Sequence, residues 1–252
     1  MHALALDRLS PTVRPSGANA GTQRWRELLF VHWAVPLEAV RPLVPAELEL
    51  DAWDGRAWIG VVPFRMEAIR TAWMPRPTAM DFLELNVRTY VHHRGKPGVW
   101  FFSLEASSWL AVKTARTVWS LPYHHARMSV QTEGARVRYA TARQADGARF
   151  EVDYEVGEEL GPSAPGTLEH FLLERYLLFS TRRGRILEGQ VNHPPYVAHR
   201  ARVDRVHDDL MAAAGLPAAD RMPDTVHFSP GVEVEVFGPH PVKALEEKNP
   251  GT

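Results

Sequence analysis

The amino-acid sequence predicts an α+β fold, an antiparallel β-sheet or barrel with a few packed helices. Three observations carry that prediction. Short segments that alternate apolar and polar residues, or run continuously apolar, recur along the whole chain. Dipeptides that favour tight turns, Asp54-Gly55, Glu133-Gly134 and Asp146-Gly147, separate several of them. Three longer stretches, besides one short one, read instead as helices, from their capping residues and apolar spacing.

The elements follow in order. Residues 1–22, rich in Ala, Pro, Ser and Gly, read as a flexible N-terminal arm. The apolar run from Trp25 to Trp33 suits a buried strand, and Val35–Pro45 a short helix that Pro42 and Pro45 limit. Asp54-Gly55 predicts a turn between strands Leu48–Trp53 and Ala57–Met66. Residues 71–82, with Pro75 and Pro77, read as an exposed loop. In the strand that follows, Leu85, Val87 and Val91 share one face and Glu84, Asn86 and Arg88 the other. Arg94–Gly98 turns it into a partner strand, Val99–Ala106.

Ser107 or Ser108 caps a helix to about Trp119, stopped by Leu121-Pro122. Strands then fit Ala126–Thr132, Ala135–Arg143 and Arg149–Val156. Thr167 caps a second helix in which Leu168, Phe171, Leu172, Tyr176 and Phe179 recur at helical spacing. Strands Ile186–Asn192 and Val197–Val203 precede a third helix, Arg205–Ala214, ended by Gly215. Val232–Phe237 closes the chain as a strand before a tail, 241–252. With no repeat and no linker, residues 23–240 are expected to form a single domain.

Composition excludes several function classes. A net charge of −1 gives no field for nucleic acid or an acidic membrane, and neither is an expected partner. No stretch approaches the ~20 apolar residues of a membrane span, and Asp7, Arg8 and Arg14 interrupt any signal peptide, so a cytoplasmic location is expected. The absence of cysteine removes disulfides, thiolate ligands and cysteine nucleophiles. His92-His93 and His124-His125 would point to opposite faces of a strand, and no His-x-x-x-His spacing occurs, so neither metal nor cofactor is expected. His193 before two prolines and His227 before Phe228-Ser-Pro-Gly read as turn-fixing residues. Gly-x-Ser-x-Gly and phosphate-binding glycine patterns are missing. Trp100-Phe-Phe suits an apolar ligand cavity.

From Trp25 to Phe237 the chain resembles the bacterial DUF2071 (YqjF-like) family. The residues that carry the resemblance include Phe30-Val-His-Trp, Gly55-Arg-Ala-Trp-Ile-Gly-Val-Val-Pro-Phe-Arg-Met, Glu84-Leu-Asn-Val-Arg-Thr-Tyr-Val, Leu121-Pro-Tyr and His193-Pro-Pro. That family is similar, more distantly, to acetoacetate decarboxylase, which implies a β-barrel-like α+β domain around a closed cavity and self-association to a homo-oligomer. In the decarboxylase a lysine forms a Schiff base with a β-keto acid. The matching motif here is Arg116 through His124, and Tyr123 stands where the lysine would be. Arg26 resembles the arginine near the substrate carboxylate, and Glu84 a pocket glutamate; a second pocket glutamate falls at Gly60 and is absent.

A phenol cannot form an iminium, so Schiff-base decarboxylation is not expected. The chain holds four lysines, Lys96, Lys113, Lys243 and Lys248. Lys113 is the one replacement nucleophile to consider, because it shares a helix face with Arg116 at i, i+3; the competing reading is a lysine facing water. Arg26, Glu84, Asn86, Arg116 and Tyr123 are the pocket candidates. Glu84, Asn86 and Arg88 either line a polar cavity or form a solvated face with a Glu84–Arg88 pair. The expected function is binding of a small organic acid or carbonyl compound. The alternatives are a lyase or hydratase using Tyr123 and Glu84 as acid and base, or a structural protein with a filled barrel.

Overall fold

A computed structural model describes residues 6–72 and 80–242. The N-terminal strand β1 (Gly21–Val35) leads through a short helix α1 (Leu37–Val40) and a 3-10 turn to β2 (Glu49–Leu50). The long strands β3 (Ala57–Thr71), β4 (Met80–His93) and β5 (Lys96–Ala106) follow, and then helix α2 (Trp109–Val118). A meander β6 (Tyr123–Glu133), β7 (Arg136–Arg143), β8 (Arg149–Pro162) precedes α3 (Leu168–Leu173). The chain ends with β9 (Leu177–Arg182), β10 (Arg185–Asn192), β11 (Val197–Asp208), α4 (Leu210–Ala213) and β12 (Thr225–Pro241).

All twelve strands belong to one sheet, and most neighbours pair antiparallel. The sheet also pairs with itself: β4 joins β5, and β12 joins β10. Pairing therefore runs from β5 through β4, β3, β1, β12, β10 and β9 back to β5, a closed circuit. The two parallel contacts of β5, with β6 and β9, sit where helical segments carry the chain between strands.

The circuit gives β4 an apolar cluster on each face. Leu85, Val87 and Val91 join a cluster with β7, β8 and α4 residues such as Tyr139, Phe150 and Leu210. Phe82, of the same parity as Glu84 and Asn86, joins Leu28, Phe30, Val62, Phe64, Leu104 and Val112. The alternation read from the sequence thus separates two interiors, and the face carrying Glu84 and Asn86 is buried.

Several predicted elements change when tertiary pairing overrides local pattern. Leu48–Trp53 shrinks to Glu49–Leu50, which pairs with β4. The second helix ends at Leu173, because Leu177–Arg182 is needed as the strand between β5 and β10 and takes Phe179 with it. The first turn of the predicted third helix is strand: β11 runs to Asp208 against β8, leaving Leu210–Ala213 as helix. His227 lies within β12 rather than at a turn. The N-terminal residues from Asp7 lie against the sheet, with Arg8 donating two bonds to Asp51 and Gln190 donating to Pro11 and Val13 carbonyls. Most of the proposed 71–82 loop, and all but the first two residues of the tail with Lys243 and Lys248, lie outside the described residues.

Candidate functional site

Strand register stacks the candidate site in three rows on the inner face of the closed circuit. Glu84 lies between Phe64 of β3 and Ala106 of β5, Asn86 between Val62 and Leu104, and Arg88 between Gly60 and Phe101. One strand further, Gly60 pairs with His32 of β1. On the other side, the first residue of β6, Tyr123, pairs with Leu104. The α2 helix makes this last pairing, because Ser108 caps it by accepting from Ala111 N, and Leu121-Pro122 ends it beside β5.

Tyr123 OH donates to Glu84 Oε2 at 2.9 Å, and among the described residues it is the only hydrogen-bond partner of that carboxyl. Both side chains are buried. Burial pushes Glu84 up to about 8; the charge of Glu105 adds to the rise and the Tyr123 hydroxyl opposes it. Burial and the neighbouring Glu84 also hold the Tyr123 phenol well above its ordinary value. At neutral pH the pair is therefore a neutral carboxylic acid beside a neutral phenol. Such an acid can donate a hydrogen bond as well as accept one.

Arg88 has no carboxylate partner among the described residues. Its guanidinium lies 5.6 Å from the Phe30 ring centroid and 5.8 Å from that of Tyr90, and Nη2 reaches the Leu172 carbonyl at 3.3 Å. Tyr90 OH donates to Leu172 O at 2.8 Å, so the 2.7 Å contact to His32 Nε2 is a bond donated by the imidazole. Burial, and then the Arg88 charge, hold His32 well below its usual range, so it is neutral. Its Nδ1 is then an acceptor. His32 Nδ1, Asn86 Oδ1 and Arg88 Nε are buried atoms without a hydrogen-bond partner. Tyr196 closes this side, its ring 5.3 Å from Phe30.

The structure brings together Glu84, Asn86 and Tyr123 and sets the other candidates apart. Arg26 points outward to Glu233 and donates to the Val232 carbonyl. The cause is Glu27, at φ +53°: Trp25 and Leu28 pack against one apolar cluster although three residues apart, so the alternation slips and turns Arg26 away. Arg116 reaches Tyr123 from outside, Nε donating to its backbone carbonyl at 2.6 Å. Lys113 is exposed, with Nζ 5.2 Å from the Trp109 ring centroid. No Glu84–Arg88 ion pair forms. Gly60 also finds its reason: a Cβ there would lie 3.0 Å from His32 Nε2 and 3.4 Å from Arg88 Cγ, so these two side chains fill the space of the missing glutamate.

Sequence reasoning missed His32, Tyr90 and Tyr196 as parts of this face. The polar His32 inside Phe30-Val-His-Trp was the available signal for the first. Among the described residues, no group of three or more histidines and acidic residues is placed to hold a metal ion, and no helix is long and apolar enough to cross a membrane.

Known proteins place this arrangement in context. Solved structures similar in fold include the enduracididine biosynthesis enzyme MppR complexed with pyruvate, at TM-score 0.62 and 12% identity over 90% of this chain and 92% of that one. An acetoacetate decarboxylase-like enzyme from Sphingomonas wittichii RW1 aligns at TM-score 0.61 and 16% identity, covering 96% and 100%. Acetoacetate decarboxylase from Legionella pneumophila aligns at 0.59 and 12%, covering 96% and 98%. At these identities the likeness establishes the fold: acetoacetate decarboxylase-like, as the resemblance implied. In sequence, the chain is 37% identical over 210 residues to the uncharacterized protein YqjF of Bacillus subtilis (strain 168), covering 82% of this chain and 87% of that protein. The model of the DUF2071 family, described as an uncharacterized conserved protein, matches residues 22–233, and the chain belongs to that family.

Proposed function

We propose that the inner face of β4 binds a small organic acid or carbonyl compound without a covalent lysine intermediate. The observation that carries this reading is Arg88, a half-buried cation with no acidic partner among the described residues, set on the same face as a protonated Glu84. A ligand carboxylate would neutralise Arg88, in the role that the resemblance gave to Arg26. The neutral Glu84–Tyr123 pair and Asn86 would hydrogen-bond a carbonyl or hydroxyl further in. Lys113, exposed on α2, is poorly placed to reach such a ligand.

Pyruvate is the probe of choice, since it is the ligand bound to the similarly folded MppR. Calorimetric titration is expected to show saturable binding that weakens in Arg88→Met and Tyr123→Phe but persists in Arg26→Met. Absence of heat and of thermal stabilisation across pyruvate, longer keto acids and simple carboxylates sinks the reading.

A second reading, acid–base catalysis as a lyase or hydratase, is favoured by one feature. Burial pushes Glu84 up to about 8, so it holds at neutral pH a proton that it can give up at only slightly higher pH. Turnover of a keto acid or hydroxy acid, abolished in Glu84→Gln while the protein stays folded, would select it over simple binding.

A further inference from the structure

A cleft of about 500 Å³ opens beside Leu121-Pro122; neither Glu84 nor Tyr123 lines it, and Phe101, which pairs with Arg88, is the lining residue it shares with the inner face. Its size falls among small-molecule sites. Trp100, Phe102, Leu121 and Pro122 give it aromatic and apolar walls, Thr181 lies on its rim, and Arg116 is the only charged residue among the described residues lining it.

Arg116 is prepared for an anion. Its Nε is held by the Tyr123 carbonyl at 2.6 Å, which fixes the plane of the guanidinium. Its two terminal nitrogens carry no hydrogen bond to any described residue, and no carboxylate among the described residues pairs with it. Among the described residues, no acidic one lines the cleft to oppose a negative ligand. Arg116 also stands in the last turn of α2, where no acidic neighbour competes for it.

We propose that this cleft is a second ligand site, which binds an amphipathic monoanion: an aromatic or acyl body against Trp100 and Phe102, and a carboxylate or sulfonate on Arg116. Charge complementarity selects this occupant, since one unpaired guanidinium sits at the edge of an otherwise uncharged, aromatic wall. The site is also mechanically tied to the inner face. Arg116 and Leu104 N hold the carbonyls of Tyr123 and Pro122, at 2.6 Å and 3.0 Å, and the Tyr123 side chain on the opposite side holds Glu84. An anion that draws Arg116 toward itself would loosen the backbone that positions the phenol. The proposal does not depend on what the inner face binds.

The test uses 8-anilinonaphthalene-1-sulfonate as the anionic probe and uncharged N-phenyl-1-naphthylamine as its neutral counterpart, on the intact folded protein. The anion is expected to saturate a single site, with the neutral probe about tenfold weaker, the loss of one charge-assisted contact. Arg116→Gln should weaken the anion by a similar factor. Thr181→Glu, at an exposed residue whose change leaves the fold intact, should do the same by repulsion. Arg88→Met should leave it unchanged. Anion affinity that ignores both Arg116→Gln and Thr181→Glu overturns the proposal. So does its loss in Arg88→Met, which would put the probe on the inner face, or its loss at high protein concentration as two copies of the chain cover the cleft.

Discussion

Two glutamates of the β4–β5 hairpin, one register step apart, point into opposite interiors and meet different partners. Glu84 on β4 lies opposite Ala106, and Glu105 on β5 lies opposite Leu85. Both are buried, at 3% and 0% exposure, and burial raises both. Glu105 finds Arg143, which bonds one carboxylate oxygen at 2.6 Å and 3.1 Å and is itself held by Asp146 at 3.0 Å. Glu84 finds a phenol. The Arg143 charge and hydrogen bonds oppose the rise at Glu105, whereas at Glu84 the hydrogen bond from a neutral phenol is what opposes it.

The difference separates structural from functional burial. Around Glu105 the charge is answered within the chain, as it is where Asp51 is bonded by both Arg8 and Arg175. Around Glu84 the acid is left to protonate while a cation on the same strand face, Arg88, meets no carboxylate among the described residues. A compensated pair stabilises one conformation. On the proposed function, the uncompensated set is where a ligand from outside the chain would bind.

The largest effect should come from breaking the compensated side. Arg143→Met leaves Glu105 buried without its cation, and a loss of about 3–5 kcal/mol is expected in chemical denaturation. Arg88→Met should behave in the opposite way. Stability should change little, because no carboxylate is orphaned, while pyruvate affinity falls by about 1.5–3 kcal/mol in calorimetry. Equal destabilisation by the two substitutions would erase the contrast.

Glu84 also sets a pH dependence. Its carboxyl binds a proton more tightly folded than unfolded, so its contribution is fully present below the ordinary value of 4.5 and is lost as pH rises to about 8. The slope over that window is about 1.4 kcal/mol per pH unit. Urea denaturation from pH 5 to 9 should show a slope in the native protein that differs from that of Glu84→Gln by this amount, with the native protein losing more stability as pH rises. Identical slopes would mean that Glu84 is ionised in the fold. The smallest effect belongs to Tyr123→Phe: a loss of about 1 kcal/mol, with the Glu84 transition moved to higher pH because the opposing hydrogen bond is gone.

How much of this the sequence revealed depends on the range of the interaction. The β4–β5 hairpin, a cap at Ser107 or Ser108 and the β6–β8 meander are local patterns, and each was legible, although β8 runs on past the expected Val156 to Pro162, where it pairs with β11. The change of Phe179 from helix to strand was not, because the pairing of β9 with β5 and β10 joins distant segments. In the site, Glu84, Asn86 and Tyr123 were readable from one strand face and one motif. Arg26 was misplaced because a positive φ at Glu27 carries no mark in the sequence. The isolation of Arg88 was equally hidden: the i, i+4 spacing suggested a Glu84 partner, and only the fold turns its guanidinium to Phe30 and Tyr90.

The central claim is that Arg88 is a vacant carboxylate anchor beside a neutral acid, in a site that needs no lysine. Calorimetric titration of pyruvate into the native protein, Arg88→Met, Arg26→Met and Lys113→Ala tests it most directly, with borohydride added to trap any imine. The account predicts saturable binding in the native protein, Arg26→Met and Lys113→Ala, about tenfold or greater weakening in Arg88→Met, and no change in protein mass after reduction. Unchanged affinity in Arg88→Met, or a reduced adduct on Lys113, would contradict it.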